Sequence, residues 1–125
     1  MREIYAKDIT KLVSELCKKA NLELNPDVLA ALRLAHDSET VPSAKNALEI
    51  LIKNAEIAAR ERLPICQDTG MAVVFAEIGQ DAHINGDFAE AVNEGVRQGY
   101  REGFLRASIV KDPLRRENTD RRAHV

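Results

Sequence analysis

The chain has 125 residues, of which 45% are hydrophobic and 30% are charged, and its formal net charge at pH 7 is −2. These proportions are typical of a soluble globular protein and exclude a largely disordered chain. The small net charge does not favour nucleic acid or a membrane surface as a partner, and no apolar run reaches the roughly 18 residues of a membrane span. We therefore expect one domain, no signal peptide and a cytoplasmic location.

The N-terminal half of the chain predicts three helices. Residues 6–20 place apolar side chains at helical spacing. Asn25 and Pro26 predict the start of a second helix, because asparagine is a good cap and proline suits the first helical position. Ser43 is the expected cap of a third helix, which is rich in alanine and runs to about Arg62.

The second half of the chain predicts a strand, a helix and another strand. Residues 72–78 are mostly apolar, which is typical of a buried strand. A short extended piece at residues 82–84 precedes Asp87, the expected cap of the helix. Residues 107–110 predict the last strand. The expected fold class is therefore α/β (α+β), with a helix-rich N-terminal half followed by strand, helix and strand.

Three glycines recur at four-residue spacing along the predicted helix of the second half. They are Gly95, Gly99 and Gly103. Each glycine in a helix interior costs about 1 kcal/mol relative to alanine. Three such costs on one face predict a neighbour packed very close to it, and a partner subunit is one candidate.

A polar loop lies between the third helix and the predicted strand, and its residues are Pro64-Ile65-Cys66-Gln67-Asp68-Thr69-Gly70. It holds a thiol, an amide, a carboxylate and a hydroxyl in consecutive positions, which serve no hydrophobic core. Loops held between rigid elements commonly carry catalytic and binding residues. This loop is the candidate functional site.

Cys66 has three possible roles, which are nucleophile, iron–sulfur ligand and inert thiol. A nucleophilic cysteine needs a base, and none of the three histidines has a spacing that favours it. Iron–sulfur clusters are held by several cysteines. The chain has one other, Cys17, which lies on an apolar helical stripe and is expected in the core. Residue spacing alone leaves all three roles open.

The other polar residues of interest also allow structural explanations. Asp68 can be a general acid or base, a turn-stabilising carboxylate or a helix cap. Gln67 can orient a small polar substrate or satisfy loop backbone. Arg106 follows an apolar pair at a predicted helix-to-strand junction, where a guanidinium can bind a carboxylate with two parallel hydrogen bonds.

Several motifs resemble the class I fumarases, which are iron–sulfur hydro-lyases, and the related tartrate dehydratases. The similar segments, in chain order, are Pro64-Ile65-Cys66-Gln67-Asp68-Thr69-Gly70, Ala76-Glu77-Ile78-Gly79-Gln80-Asp81, Asn93-Glu94-Gly95-Val96-Arg97, Gly99-Tyr100, Gly103-Phe104-Leu105-Arg106-Ala107-Ser108, Asp112-Pro113-Leu114 and Asn118-Thr119. Because several motifs occur in the family's order, the resemblance is specific.

The resemblance implies a 4Fe–4S cluster with three cysteine ligands and one open iron, which acts as a Lewis acid on the substrate. By position, Cys66 is the first of the three ligands. Gln67 and Asp68 correspond to substrate-binding residues, and Asp68 is the catalytic candidate near the reacting carbon. Arg106 corresponds to an arginine that binds a substrate carboxylate. The implied reaction is reversible addition of water to a four-carbon dicarboxylate, fumarate to malate.

The sequence departs from the family after residue 119, and the two other cluster cysteines have no counterpart. The resemblance therefore implies that residues 1–125 are the N-terminal portion of a larger catalytic α region. The expected partners are further downstream polypeptide, a β subunit or C-terminal domain, and a second copy in a homo-oligomer. Alone, the chain is expected to be inactive and to hold no cluster. Alternatives are an inactive truncated paralogue that acts as an oligomerisation or binding module, and a tartrate dehydratase α region.

Overall fold

The computed structural model of the chain describes residues 2–66 and 71–117. Within these ranges the chain forms two short strands and four helices, which confirms the mixed α/β class. One compact unit contains the described residues up to Lys18 together with residues 71–117, and the other contains residues 19–66. In chain order the elements are β1 (Arg2–Tyr5), α1 (Ala6–Leu22), α2 (Pro26–Ser38), α3 (Pro42–Glu61), β2 (Ala82–Asn85) and α4 (Phe88–Glu102).

The hydrophobic core of the first unit lies where α1 packs against α4. Asp87 caps α4 as expected, since its Oδ1 atom accepts a hydrogen bond from the N–H of Glu90 at 2.9 Å. The apolar stripe predicted for α4 is buried, and Val92 and Val96 are the most deeply buried large side chains of the described residues. The core side chains come from both helices and the segment after α4, and they are Val13, Cys17, Val92, Val96, Tyr100 and Leu105.

The neighbour predicted for the glycine face is α1 of the same chain, not a partner subunit. A Cβ atom on Gly99 would lie 2.8 Å from the carbonyl oxygen of Ser14 and 2.8 Å from the Cβ atom of Cys17. Real Cβ atoms do not approach neighbours this closely without a shift. Glycine is therefore needed so that the two helix backbones can pack in contact.

The two strands form a small parallel sheet in which Arg2 pairs with Ala82 and Ile4 pairs with Ile84. Sequence analysis missed β1, because four residues are too few to show a periodic pattern. The extended piece expected at residues 82–84 corresponds to β2. β2 is followed by Gly86, whose φ of 119° is a conformation that side-chain-bearing residues rarely adopt.

Two predicted strands do not form as continuous strands. Ala72 and Val110 each make a single β-bridge, and the rest of residues 72–78 and 107–110 is irregular. The first segment is also exposed rather than buried, and Phe75 is 94% exposed. A strand needs a neighbour that satisfies its backbone groups, and a buried strand needs a layer on each face. Among the described residues, only Ala72 of this segment has a bridge partner and packs against the core, and the residues after it are exposed.

The second unit is built on α2 and α3, which pack together. Arg33 and Glu56 join them by an ion pair of 2.9 Å. Asn25 takes the cap position of α2 as predicted, although its side chain makes no capping hydrogen bond. Among the helices described, none is long and apolar enough to cross a membrane.

The prediction that Ser43 caps α3 is wrong. The helix begins at Pro42, and Val41 holds the cap position. No side chain caps the helix by a hydrogen bond. Glu39 instead orders the turn before it, since its Oε1 atom accepts hydrogen bonds from the N–H groups of Thr40 and Val41, each at 2.8 Å. These two bonds lower the pKa of the Glu39 carboxyl. A carboxylate just before a helix also interacts favourably with the helix dipole.

Candidate functional site

The segment that carries Cys66 starts where α3 ends. Arg62 adopts a left-handed conformation with φ of 58° and closes the helix by donating its N–H to the carbonyl of Ala58. The N–H of Leu63 donates to the same carbonyl at 3.1 Å. Pro64 has no N–H and cannot extend the helix. The chain therefore leaves α3 in a defined direction.

Two hydrogen bonds then hold the backbone next to Cys66. The N–H of Ile65 donates to the carbonyl of Asn21 at 2.8 Å, and Asn21 lies in the last turn of α1. The N–H of Cys66 donates to the Oδ1 atom of Asn54, in the interior of α3, at 3.1 Å. Cys66 itself is exposed. The structure therefore presents this thiol to solvent on a backbone tied to two helices.

The two cysteines have opposite environments. Cys17 is buried in the core, as predicted, and this burial raises the pKa of its thiol. A buried thiol with a raised pKa is a poor nucleophile and a poor metal ligand, because both roles need the thiolate. Cys66 is the exposed one. Of the three roles left open for Cys66, the structure does not exclude any.

The described residues do not fit a complete iron–sulfur site. In residues 2–66 and 71–117, no group of three or more His, Cys, Asp and Glu side chains is placed to hold a metal ion. An iron–sulfur cluster needs several thiolates, and Cys66 can supply one. Further ligands would have to come from other polypeptide.

Arg106 is positioned by the turn that follows α4. Phe104 takes a left-handed conformation with φ of 52° and is exposed. Leu105 turns the other way, since its side chain is buried and its N–H donates to the carbonyl of Tyr100 at 2.9 Å. Arg106 comes next and is exposed. An anchored leucine thus fixes the start of the segment that presents this guanidinium.

The four predicted site residues are only partly described by the structure. Gln67 and Asp68 lie outside the described residues. Cys66 and Arg106 belong to different compact units. Their joint role in one site therefore stays a prediction.

Sequence reasoning missed Asn54, because its partner is twelve residues away. The sequence does contain one weak signal for a special role of Asn54. Asparagine is a poor helix former, and it stands inside an alanine-rich helix, where it needs a reason other than propensity.

The similarity of this chain to known proteins covers nearly its whole length. The family model described as fumarate hydratase (Fumerase) matches residues 10–124. This chain belongs to the fumarate hydratase family. The match confirms the resemblance seen in the motifs.

Curated relatives of this chain are named either tartrate dehydratase or fumarate hydratase. A Methanocaldococcus jannaschii protein described as an L(+)-tartrate dehydratase subunit alpha is 38% identical over 112 residues, covering 88% of this chain and 39% of the relative. The anaerobic class I fumarate hydratase of Escherichia coli is 35% identical over 110 residues, covering 85% of this chain and 20% of the relative. The chain thus spans between one fifth and two fifths of the length of these relatives.

Proposed function

We propose that residues 1–125 are the N-terminal portion of the α region of an iron–sulfur hydro-lyase of the cytoplasm, which adds water reversibly to a four-carbon dicarboxylate and interconverts fumarate and malate. The observation that carries the proposal is the family match over residues 10–124. Class I fumarate hydratases occur among the relatives, each matching this chain over a small part of its own length. The complete activity is therefore assigned to the larger protein.

Arg106 is proposed to bind one substrate carboxylate. Addition of water to a carbon–carbon double bond next to a carboxylate builds negative charge on that carboxylate. A guanidinium neutralises this charge with two parallel hydrogen bonds, which also fix the orientation of the substrate. Two observations support this role. Arg106 is exposed, and the residue before it, Leu105, is buried and held by the hydrogen bond from its N–H to the carbonyl of Tyr100.

The polar loop is proposed to supply the remaining contacts from this chain. Gln67 orients the substrate with its amide group, which can donate and accept hydrogen bonds. Asp68 moves the proton at the reacting carbon, a task for which a positioned carboxylate is suited. Both assignments rest on the match between this loop and the family motif.

Cys66 is proposed as one thiolate ligand of a 4Fe–4S cluster whose other thiolates come from further polypeptide. The exposed thiol of Cys66 and the buried thiol of Cys17 support this choice between the two cysteines. The described residues do not make up a ligand set by themselves. The remaining ligands belong to the larger protein.

The partners proposed for the chain are downstream polypeptide, a β subunit or C-terminal domain, and a second copy in a homo-oligomer. Exposed apolar side chains support assembly into a larger protein, because isolated soluble proteins seldom leave a run of large apolar residues in water. Such a run follows the polar loop and consists of Val73, Val74 and Phe75.

Dehydration of L(+)-tartrate is the second candidate reaction. It is favoured by the Methanocaldococcus jannaschii relative, which has 38% identity and of which the chain covers 39%. The two reactions are alike in that water is lost from or added to a four-carbon dicarboxylate. The same carboxylate-binding arginine would serve both.

The test is to assay the complete protein, with its further polypeptide and a reconstituted cluster, on fumarate, malate and L(+)-tartrate. We expect turnover of at least one of them. Arg106→Lys should raise KM more than tenfold, because an ammonium cannot form the bidentate pair. Arg101→Lys, at an exposed position in the last turn of α4, is the matched control and should leave KM unchanged. Absence of turnover on all three compounds, with an intact cluster, would contradict the proposal.

A further inference from the structure

Asn54 connects the body of α3 to the backbone of the candidate ligand. Its Oδ1 atom accepts the hydrogen bond from the N–H of Cys66 at 3.1 Å. The side chain is half-buried, whereas its neighbours in the helix, Lys53 and Ala55, are exposed and buried respectively. Asn54 therefore stands at the edge of the buried face, where it can reach back over the chain that leaves the helix.

The hydrogen bond joins two residues that are twelve positions apart and links the segment after α3 back to the helix itself. Arg62 takes a left-handed conformation at the end of α3, and Pro64 offers no N–H. Ile65 is then tied to Asn21, and Cys66 to Asn54. Without Asn54, the last of these ties is lost, and Cys66 would be held from one side only. The hydrogen bond of Ile65 to Asn21 would then be the remaining backbone tie described next to Cys66.

We propose that Asn54 is a positioning residue for Cys66, which acts by fixing the backbone of this cysteine in the place that a metal ligand requires. The inference rests on the proposed role of Cys66 as a cluster ligand. Groups that hold a ligand in place through hydrogen bonds typically change metal affinity 10- to 100-fold when they are removed. A ligand site tolerates displacements of only about 0.5 Å.

The first measurement is amide hydrogen exchange at Cys66 in the chain as it stands, which needs neither cluster nor substrate. Asn54→Leu removes the acceptor at similar side-chain size and should speed exchange at Cys66 by about 2- to 10-fold. Exchange at Ile65, whose partner is the carbonyl of Asn21, should change less. Asn54→Asp keeps an acceptor oxygen and should stay close to wild type. The matched control is Asn46→Leu, at an exposed position on the same helix.

The second measurement is iron release to a chelator from the complete, reconstituted protein. Asn54→Leu should release iron at least about tenfold faster than wild type, whereas Asn54→Asp and Asn46→Leu should not. Faster amide exchange with unchanged iron release would show that Asn54 is merely structural and would overturn the inference. An unprotected Cys66 amide in the wild-type chain would overturn it without any variant, even if Asn54→Leu fails to fold.

The two proposals fail in different ways. If Cys66→Ser keeps a full complement of iron, Cys66 is not a ligand and the proposed function of this residue fails, whatever Asn54 does to amide exchange. If Cys66→Ser loses iron but Asn54→Leu behaves like Asn46→Leu, the ligand assignment stands and the positioning role fails.

Discussion

The carbonyl oxygen of Thr10 in α1 lies 2.6 Å from the place that a Cβ atom on Gly95 of α4 would take. The two helices therefore meet backbone to backbone at this point. The hydroxyl of Thr10 also donates a hydrogen bond to the carbonyl of Ala91 at 3.0 Å. The close approach of α1 and α4 is thus held by both packing and a polar contact, and it organises the core of the first unit.

This packing predicts that Gly99→Val lowers the free energy of unfolding by about 2 to 3 kcal/mol, because the added atoms would overlap α1 and force a shift. The measurement is urea unfolding followed by circular dichroism. Gly79→Val is the matched control, since a Cβ atom there would meet nothing within 4 Å, and we expect a change within about 0.5 kcal/mol. Equal effects of the two substitutions would show that the helices are not in contact at Gly99.

Asp87 and Asn25 hold the cap positions of α4 and α2, and their substitutions should have different effects on stability. Asp87→Ala should lower the free energy of unfolding by about 1 kcal/mol, because it removes the hydrogen bond to the N–H of Glu90. Asn25→Ala should cost only a few tenths of a kcal/mol, since the side chain of Asn25 makes no capping hydrogen bond. Both variants can be measured by the same urea unfolding. A larger loss for Asn25→Ala would contradict the cap geometry.

Burial of Cys17 predicts a pH dependence. The pKa of this thiol is raised above 9.0 in the folded state, so the folded chain keeps a proton that the unfolded chain releases. The contribution of Cys17 to stability is therefore complete below pH 9 and falls as the pH rises above it. The measurement is the difference in unfolding free energy between wild type and Cys17→Ala at pH 7 and pH 10. We expect a smaller difference at pH 10, and no change would mean that the thiol is not buried.

The helices could be predicted from the sequence because their signals are local. Pro26 marks the start of α2, and Asp87 marks the start of α4. The apolar spacing indicates the apolar face of each helix, and the structure places both helices within a few residues of these signals. The cap of α3 was misassigned because Pro42, which suits the first helical position, begins the helix one residue before Ser43, so that Val41 takes the cap position.

The strands could not be predicted as well, because pairing is not local. β1 is recognisable only through its partner β2, about eighty residues later. Residues 72–78 have the composition of a buried strand, but composition does not supply the neighbouring strand. The hydrogen bond between Cys66 and Asn54 could not be predicted either, because the two residues are twelve positions apart in the sequence.

The candidate site was predicted from residue chemistry only as a set of alternatives. The loop with Cys66 and Asp68 stood out because its polar residues serve no core. The choice of role among nucleophile, ligand and inert thiol came from the resemblance, and membership of the family is confirmed by the match over residues 10–124. The individual residue roles stay predictions.

The most direct test is the iron content and fumarate hydration rate of the complete protein with Cys66→Ser, beside Cys17→Ser as the matched control. We expect Cys66→Ser to lose both iron and hydration, because a cluster ligand is removed. Cys17→Ser should keep both in whatever fraction folds, since Cys17 belongs to the core. Full iron content and wild-type hydration in Cys66→Ser would contradict the proposal that this chain supplies a ligand of the hydro-lyase cluster.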